Sequence, residues 1–333
     1  MKDSPNLDAL RACAVGFVVL SHLPYFVGWE DPGWYRIKAL GHLGVAMFFV
    51  HTTLVLMMSL ERSGHAAGPF LIRRFFRIFP LSMAVVLLMS TLQWMGGQPI
   101  EAAGVISNLL LLQHVTGHRS TPDQLWTLSY EVMMYMLLPA LFILTSTGRP
   151  VLRVGAIYAA SLVVGLFVWR ELNFLAFVPC FLPGAIAFIG GRRGPGRHAP
   201  WLLFLLIAVA AITIPALTAA GAPEAPQLWV MCLALGLIVP KCRNLTSRPV
   251  AIGARGVAKY SYGIYLTHLL AMGLAFPVGG VPTLLNWAVF VIMLWALGLV
   301  CYYAIERRGI RLGQELASRF SLKQPTRPGP EPV

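Results

Sequence analysis

The residues able to do acid–base or anion chemistry in this sequence are few, and they recur at helical spacing inside apolar stretches. Arg11 and His22 are eleven residues apart. At about 100° per residue they return to one helix face, about 16 Å apart along the axis. His22 reads either as a base, because neutral imidazole is tolerated in a low-dielectric setting, or as a polar packing contact; Pro24 should bend the helix just beyond it. Arg74 and Arg77, beside Arg73, can present their guanidinium groups on one face. That arrangement suits bidentate binding of phosphate oxygens, and equally marks a membrane boundary. Glu131 is the only acidic residue within 125–144, where it follows Trp126 and Ser129 and stacks on Tyr135. It reads as a partner for a histidine or as a carboxylate reaching headgroup water. Ser261, Tyr265 and His268 form an i, i+4, i+7 stripe, which serves a cavity wall or a helix seam. His42, His51 and His114 read as structural.

The elements that must position these groups are membrane helices. Of 333 residues, 57% are hydrophobic and only 12% charged, against about a quarter in a typical globular chain. So few charges cannot cover a soluble surface. Apolar stretches long enough for a ~30 Å hydrocarbon core recur at 9–28, 39–59, 77–95, 125–144, 153–169, 174–190, 201–219, 228–240, 260–278 and 284–304. An eleventh, 103–115, is too short to span comfortably. The expected fold is therefore an all-α polytopic helix bundle of about ten spans, with 103–115 re-entrant or interfacial.

Net charge is +13, and its placement excludes a nucleic-acid partner. The basic residues cluster at 73–77, 149–153, 192–197, 241–259 and from Arg307, whereas the alternate loops are neutral or acidic. If 103–115 does not cross, every cluster falls on one side. The positive-inside bias then puts both termini in the cytoplasm; the expected location is the cytoplasmic (inner) membrane. The domain should run over 1–311, followed by a polar tail at 312–333 that is disordered from about 321. Five scattered cysteines exclude a disulfide scaffold, and no metal-ligand spacing occurs.

Taken in order, the motifs are Leu7–Arg11 with Ser21-His22, Gly44–Val50, Arg73–Pro80, Trp126-Thr127-Leu128-Ser129-Tyr130-Glu131 with Tyr135 and Pro139, Ser261–His268, and Ile305-Glu306-Arg307. This set resembles the membrane acyltransferase-3 family from Leu7 to about Arg311. Its form is closest to the exopolysaccharide and glycan O-acetyltransferases. The resemblance implies transfer of an acyl group, most often acetyl, from cytosolic acyl-CoA to a hydroxyl of a glycan or lipid-linked sugar. It assigns the Arg-x10-His pattern to Arg11 and His22, the Arg-x-x-Arg pattern to Arg74 and Arg77, and the Trp-Ser-Leu-x-x-Glu pattern to Trp126–Glu131, with Thr127 in place of serine. Two further departures are His51-Thr52-Thr53 where the family has Ser-Gly-Phe, and Arg307 where proline often follows the glutamate.

On this reading His22 is the base or the acyl carrier, with Glu131 orienting its ring or stabilising the imidazolium. Arg11, Arg74 and Arg77 hold the phosphates of acetyl-CoA, which is a donor substrate and no permanent cofactor. Trp126, Ser129, Tyr135, Ser261, Tyr265 and His268 line the substrate cavity, and no metal is required. The partners are acyl-CoA, the sugar acceptor and membrane lipids; the sequence leaves the oligomeric state open. A proton-coupled exporter is the rival, because a buried Glu and intramembrane His serve that function too.

Overall fold

The computed structural model describes residues 4–28, 34–64, 66–146, 148–168, 174–194, 196–276 and 281–322. Thirteen helices carry the fold: α1 (Pro5–Phe26), α2 (Trp34–Arg62), α3 (Ala67–Met95), α4 (Ala102–Leu109), α5 (Gln113–Thr116), α6 (Trp126–Ser146), α7 (Pro150–Val168), α8 (Phe174–Gly191), α9 (Trp201–Ala219), α10 (Glu224–Ile238), α11 (Arg248–Ala275), α12 (Leu284–Cys301) and α13 (Arg307–Leu322). Among the described residues no β-strand forms.

Within the described residues, which leave out 169, 277 and 278, each of the ten expected stretches falls on a helix. Among the described residues, eight helices are long and apolar enough to cross a membrane. The other two are α10, with 15 residues, and α11, whose first half carries Arg248, Arg255 and Lys259. The segment 103–115 does not cross. It breaks into α4 and α5 around Leu111, at φ 56°, and the eight residues of α4 rise only about 12 Å. Asn108 pins this break, donating to the Gly104 and Arg119 carbonyls and accepting from the Thr121 N–H.

Burial sorts the bundle into a centre and a rim. The apolar window of α2 is 72% buried and that of α8 67%, against 17% for α7 and for the α12–α13 rod. The rim helices turn Phe167, Ile212 and Val300 outward, as a lipid-facing surface requires. Helix α2 packs against α1, α8, α9 and α10, while α1 packs on its other side against α11.

Small residues set the closest approaches, because lipid provides no hydrophobic drive for helices to associate. A Cβ on Gly263 of α11 would press on Cys301 and the Gly298 backbone of α12. Gly263→Leu is therefore expected to cost about 1–3 kcal/mol through overpacking, read as a lower unfolding midpoint in detergent. Helix α12 starts on a capping box, with Thr283 and Asn286 each bonding the other's backbone N–H. Asn286 also donates to the Ala275 carbonyl at the end of α11 (2.7 Å).

Helix continues past Glu306 into the stretch expected as a polar tail from 312. Residues 307–322 are helix, joined to α12 through a π-turn over Tyr302–Glu306. Helix α13 lies along α3, with Gly309 against the Phe76 carbonyl. Pro80, four residues on, cannot supply that carbonyl with its helical N–H. Residues 323–333, the rest of the expected disordered tail, lie outside the described residues.

Candidate active site

A cavity of about 80 Å³ lies among α1, α2, α3, α6 and α11, walled by Arg11, His51, Arg74, Arg77, Thr127, Glu131, Tyr135, Ser261, Tyr262 and Tyr265 with apolar side chains of α2 between them. It has room for several waters or for the end of a thioester, and it is partly open rather than sealed. Three arginines face one carboxylate on its walls.

Each charged group is held from a different helix. Arg11 donates through Nε to Ser261 Oγ (2.6 Å), tying α1 to α11. Arg77 lies 3.5 Å from Glu306 Oε1 across the α3–α12 boundary. Glu306 sits at the end of the π-turn, 1% exposed, and neither of its carboxylate oxygens has a hydrogen-bond partner. Arg74 has its Nε buried without a partner and its guanidinium 5.8 Å from the Phe70 ring. Glu131 accepts from Tyr135 Oη (2.5 Å). Tyr265 Oη donates to the Gln124 carbonyl (2.8 Å), leaving Thr127 to donate to Tyr265 (2.6 Å). Three arginines against the two carboxylates Glu131 and Glu306 leave a net positive charge around this space, with Arg74 the least paired, which suits an anion.

His22 stands apart from these walls. Its Nδ1 lies 2.8 Å from the Val18 carbonyl, and His268 Nδ1 lies 2.7 Å from the Tyr265 carbonyl. A carbonyl only accepts, so each Nδ1 carries the proton when the ring is neutral. His268 Nε2 is then an acceptor 3.4 Å from His22 Nδ1. His22 is left with a deprotonated Nε2, the form a general base needs. The Arg11/His22 face of α1 thus meets the Ser261/His268 face of α11, at Ser261 near one end and at His268 near the other.

The sequence expectations divide accordingly. Arg11, Arg74, Arg77, Glu131, Tyr135, Ser261 and Tyr265 share the cavity. Glu131 does not orient His22: the ring nitrogen it was to hold is taken by Val18, and the carboxylate is bound to Tyr135. The reason is depth. Helix α3 begins at Ala67, so Arg74 and Arg77 lie two to three turns inside it, down at the level Glu131 reaches. Three other expected cavity residues lie outside these walls. Ser129 is buried and donates to the Leu111 carbonyl (2.8 Å). Trp126 packs on Tyr130 and Phe177. His268 is fully buried against His22.

Of the histidines read as structural, His51 lines the cavity instead, 7% exposed. The signal was present in its unusual place after Phe48-Phe49-Val50. His42 pairs with Glu224 (2.8 Å). His114 lies outside the spans beside Tyr130, where burial pushes its imidazole pKa down. Glu306 and Gln124 were not expected as site residues. Gln124 is buried and donates to the Leu266 carbonyl (2.8 Å), fixing the start of α6 against α11.

The model of the acyltransferase domain of the acyltransferase-3 family matches residues 4–306, which takes in every group above. The chain belongs to the acyltransferase-3 family. It is therefore a membrane acyltransferase, and the exporter alternative falls. The chain is also similar to Nodulation protein 10 of Rhizobium leguminosarum bv. viciae, 26% identical over an alignment of 360 positions, gaps included, that covers 94% of this chain and 95% of the relative. No solved structure matches. Three positions at which this acyltransferase departs from the pattern, His51, Thr52 and Thr127, lie on the cavity wall.

Proposed function

We propose that this acyltransferase moves an acyl group, acetyl first among them, from cytosolic acyl-CoA to a hydroxyl of a glycan or lipid-linked sugar on the far side of an inner membrane. The basic end of the bundle faces the cytosol, as the positive-inside bias favours, and both termini lie there. The observation that carries the reading is the excess of arginine on a buried cavity. Arg74 and Arg77, assisted by Arg11, hold the anionic donor. The nucleotide phosphates lie at the open side of the cavity, where the arginines reach them, and the pantetheine arm runs along the α1–α11 seam toward His22. Arg11 to His22 is about 16 Å along α1, a distance an extended pantetheine covers.

At His22, Nε2 takes the proton of the acceptor hydroxyl as its oxygen attacks the thioester carbonyl. The tetrahedral intermediate collapses, the C–S bond breaks, and the imidazolium returns its proton to the departing CoA thiolate. Hydrogen bonds to Val18 and His268 fix the ring for both transfers. Glu131, bound to Tyr135 and level with the arginines, balances charge around the donor.

The test uses purified full-length protein and labelled acetyl-CoA. Binding of the donor, with release of CoA when membrane glycans are added, supports the proposal. Absence of donor binding overturns it. Trapping of label on His22 by donor alone would replace direct transfer with an acyl-histidine route. A gain of one acetyl group on surface glycans, present with the gene and absent without it, identifies the acceptor.

A further inference from the structure

A second cavity, far larger than the first at about 650 Å³, lies at the basic end of the bundle. It is bounded by the first turns of α7, the last turns of α8, the end of α10 and the loop that follows α8. Its walls are of two kinds. Ile186, Ile189 and Leu237 make an apolar shaft, and Arg193, Arg197 and Lys241 stand at its rim. Such a volume is typical of small-molecule sites.

The charge at this rim is unusually one-sided. Among the described residues no acidic one lines the cavity, and between positions 132 and 305 the sequence has only two acidic residues, Glu171 and Glu224. Among the described residues none of the three rim cations has a carboxylate partner, whereas nearby Arg192 is paired with Glu61 (2.6 Å). Topology alone asks only for cations at this end; it does not ask for them around a hollow. The hollow is held open by backbone. His198 N–H donates to the Lys241 carbonyl (2.9 Å), Arg243 N–H donates to the His198 carbonyl (2.8 Å), and Arg243 Nε donates to the Arg197 carbonyl (3.0 Å). Gly155 leaves the α7 wall bare, with nothing within 4 Å of where its Cβ would stand.

We infer that this cavity binds an anionic phospholipid, its phosphate on Arg193, Arg197 and Lys241 and the upper part of a chain in the apolar shaft. A phosphate provides the counter-charge the rim lacks. The flanking helix α7 belongs to the lipid-facing rim, so the ligand reaches the shaft from the bilayer. Basic pockets between membrane helices are general receptors for such headgroups. The site is separate from the arginine cavity and does not depend on the reaction proposed above.

The test titrates fluorescent phosphatidylglycerol and phosphatidylcholine into full-length protein in neutral detergent. Each Lys or Arg near a surface contributes about fivefold in affinity for an anionic lipid, so the neutral triple variant Arg193→Gln/Arg197→Gln/Lys241→Gln should lose on the order of a hundredfold for phosphatidylglycerol and little for phosphatidylcholine. Gly155→Leu fills open space without strain and should weaken the lipid about tenfold while the protein stays folded, which decides the matter if the triple variant does not fold. Equal affinity of the wild type for the two lipids overturns the inference. So does unchanged binding by the Gly155→Leu variant or by a folded triple variant. Competition by glycerol phosphate as effective as that by the lipid overturns it too, in favour of a soluble phosphate site.

Discussion

Replacing His22 by alanine is expected to lower acyl transfer by about 10²–10⁴-fold, the range a positioned base supplies, while acetyl-CoA affinity stays within about twofold. The two effects separate because the groups are separate. The arginines surround a cavity that His22 does not line, and the ring nitrogen contacts of His22 are with Val18, Ser21 and His268. Transfer is followed by release of CoA in the presence of acceptor, and affinity by equilibrium binding of labelled donor. Retained transfer by a folded His22→Ala protein would remove His22 from the chemistry. His268→Gln is informative beside it. His268 reaches the reaction only through His22, so it is a positioning residue, and glutamine keeps an acceptor near Nδ1. A fall in turnover with an unchanged KM for the donor, smaller than that for His22→Ala, is the expected outcome.

What the sequence made legible follows from which interactions are local. The place of the helices was readable because hydropathy is a property of a stretch: the ten stretches fall on helices, eight of them, among the described residues, long and apolar enough to cross a membrane. The stripe Ser261, Tyr265, His268 was readable because its period is that of one helix; its upper and lower members do meet Arg11 and His22 on α1. Depth across helices was not readable. It depends on where each helix begins, and α3 begins ten residues before Arg77, about 15 Å. That offset puts the arginines beside Glu131 and takes Glu131 away from His22. Glu306 was hidden for a related reason. In sequence it stands next to Arg307 and Arg308 in a basic stretch, where a carboxylate normally meets water. The π-turn adds a residue to the helical repeat and rotates it inward onto Arg77. His51 shows the opposite case: its departure from the family pattern after Phe48-Phe49-Val50 marked it, while a lone histidine between apolar neighbours, taken without that pattern, reads as structural.

Arg74→Gln and Arg77→Gln should each weaken acetyl-CoA binding about 10–100-fold, since a hydrogen bond to a charged group contributes about 1.5–3 kcal/mol and tenfold corresponds to about 1.4 kcal/mol. Their effects on stability should differ. Arg74 has a buried Nε without a partner, so its removal relieves a cost and the protein should be no less stable. Arg77 is the ion-pair partner of Glu306. Its removal leaves an unpaired carboxylate that is 1% exposed, a loss of about 3–5 kcal/mol. A weak binder that is also poorly folded would be ambiguous, and the double variant Arg77→Gln/Glu306→Gln resolves it. Neutralising both partners should restore the unfolding midpoint to near that of the wild type and leave donor affinity low. If affinity returned along with stability, Arg77 would serve only to hold α12 against α3, and the anion site would rest on Arg11 and Arg74. If the midpoint of Arg77→Gln did not fall at all, water would be reaching Glu306, and the pair would not be buried as the π-turn places it.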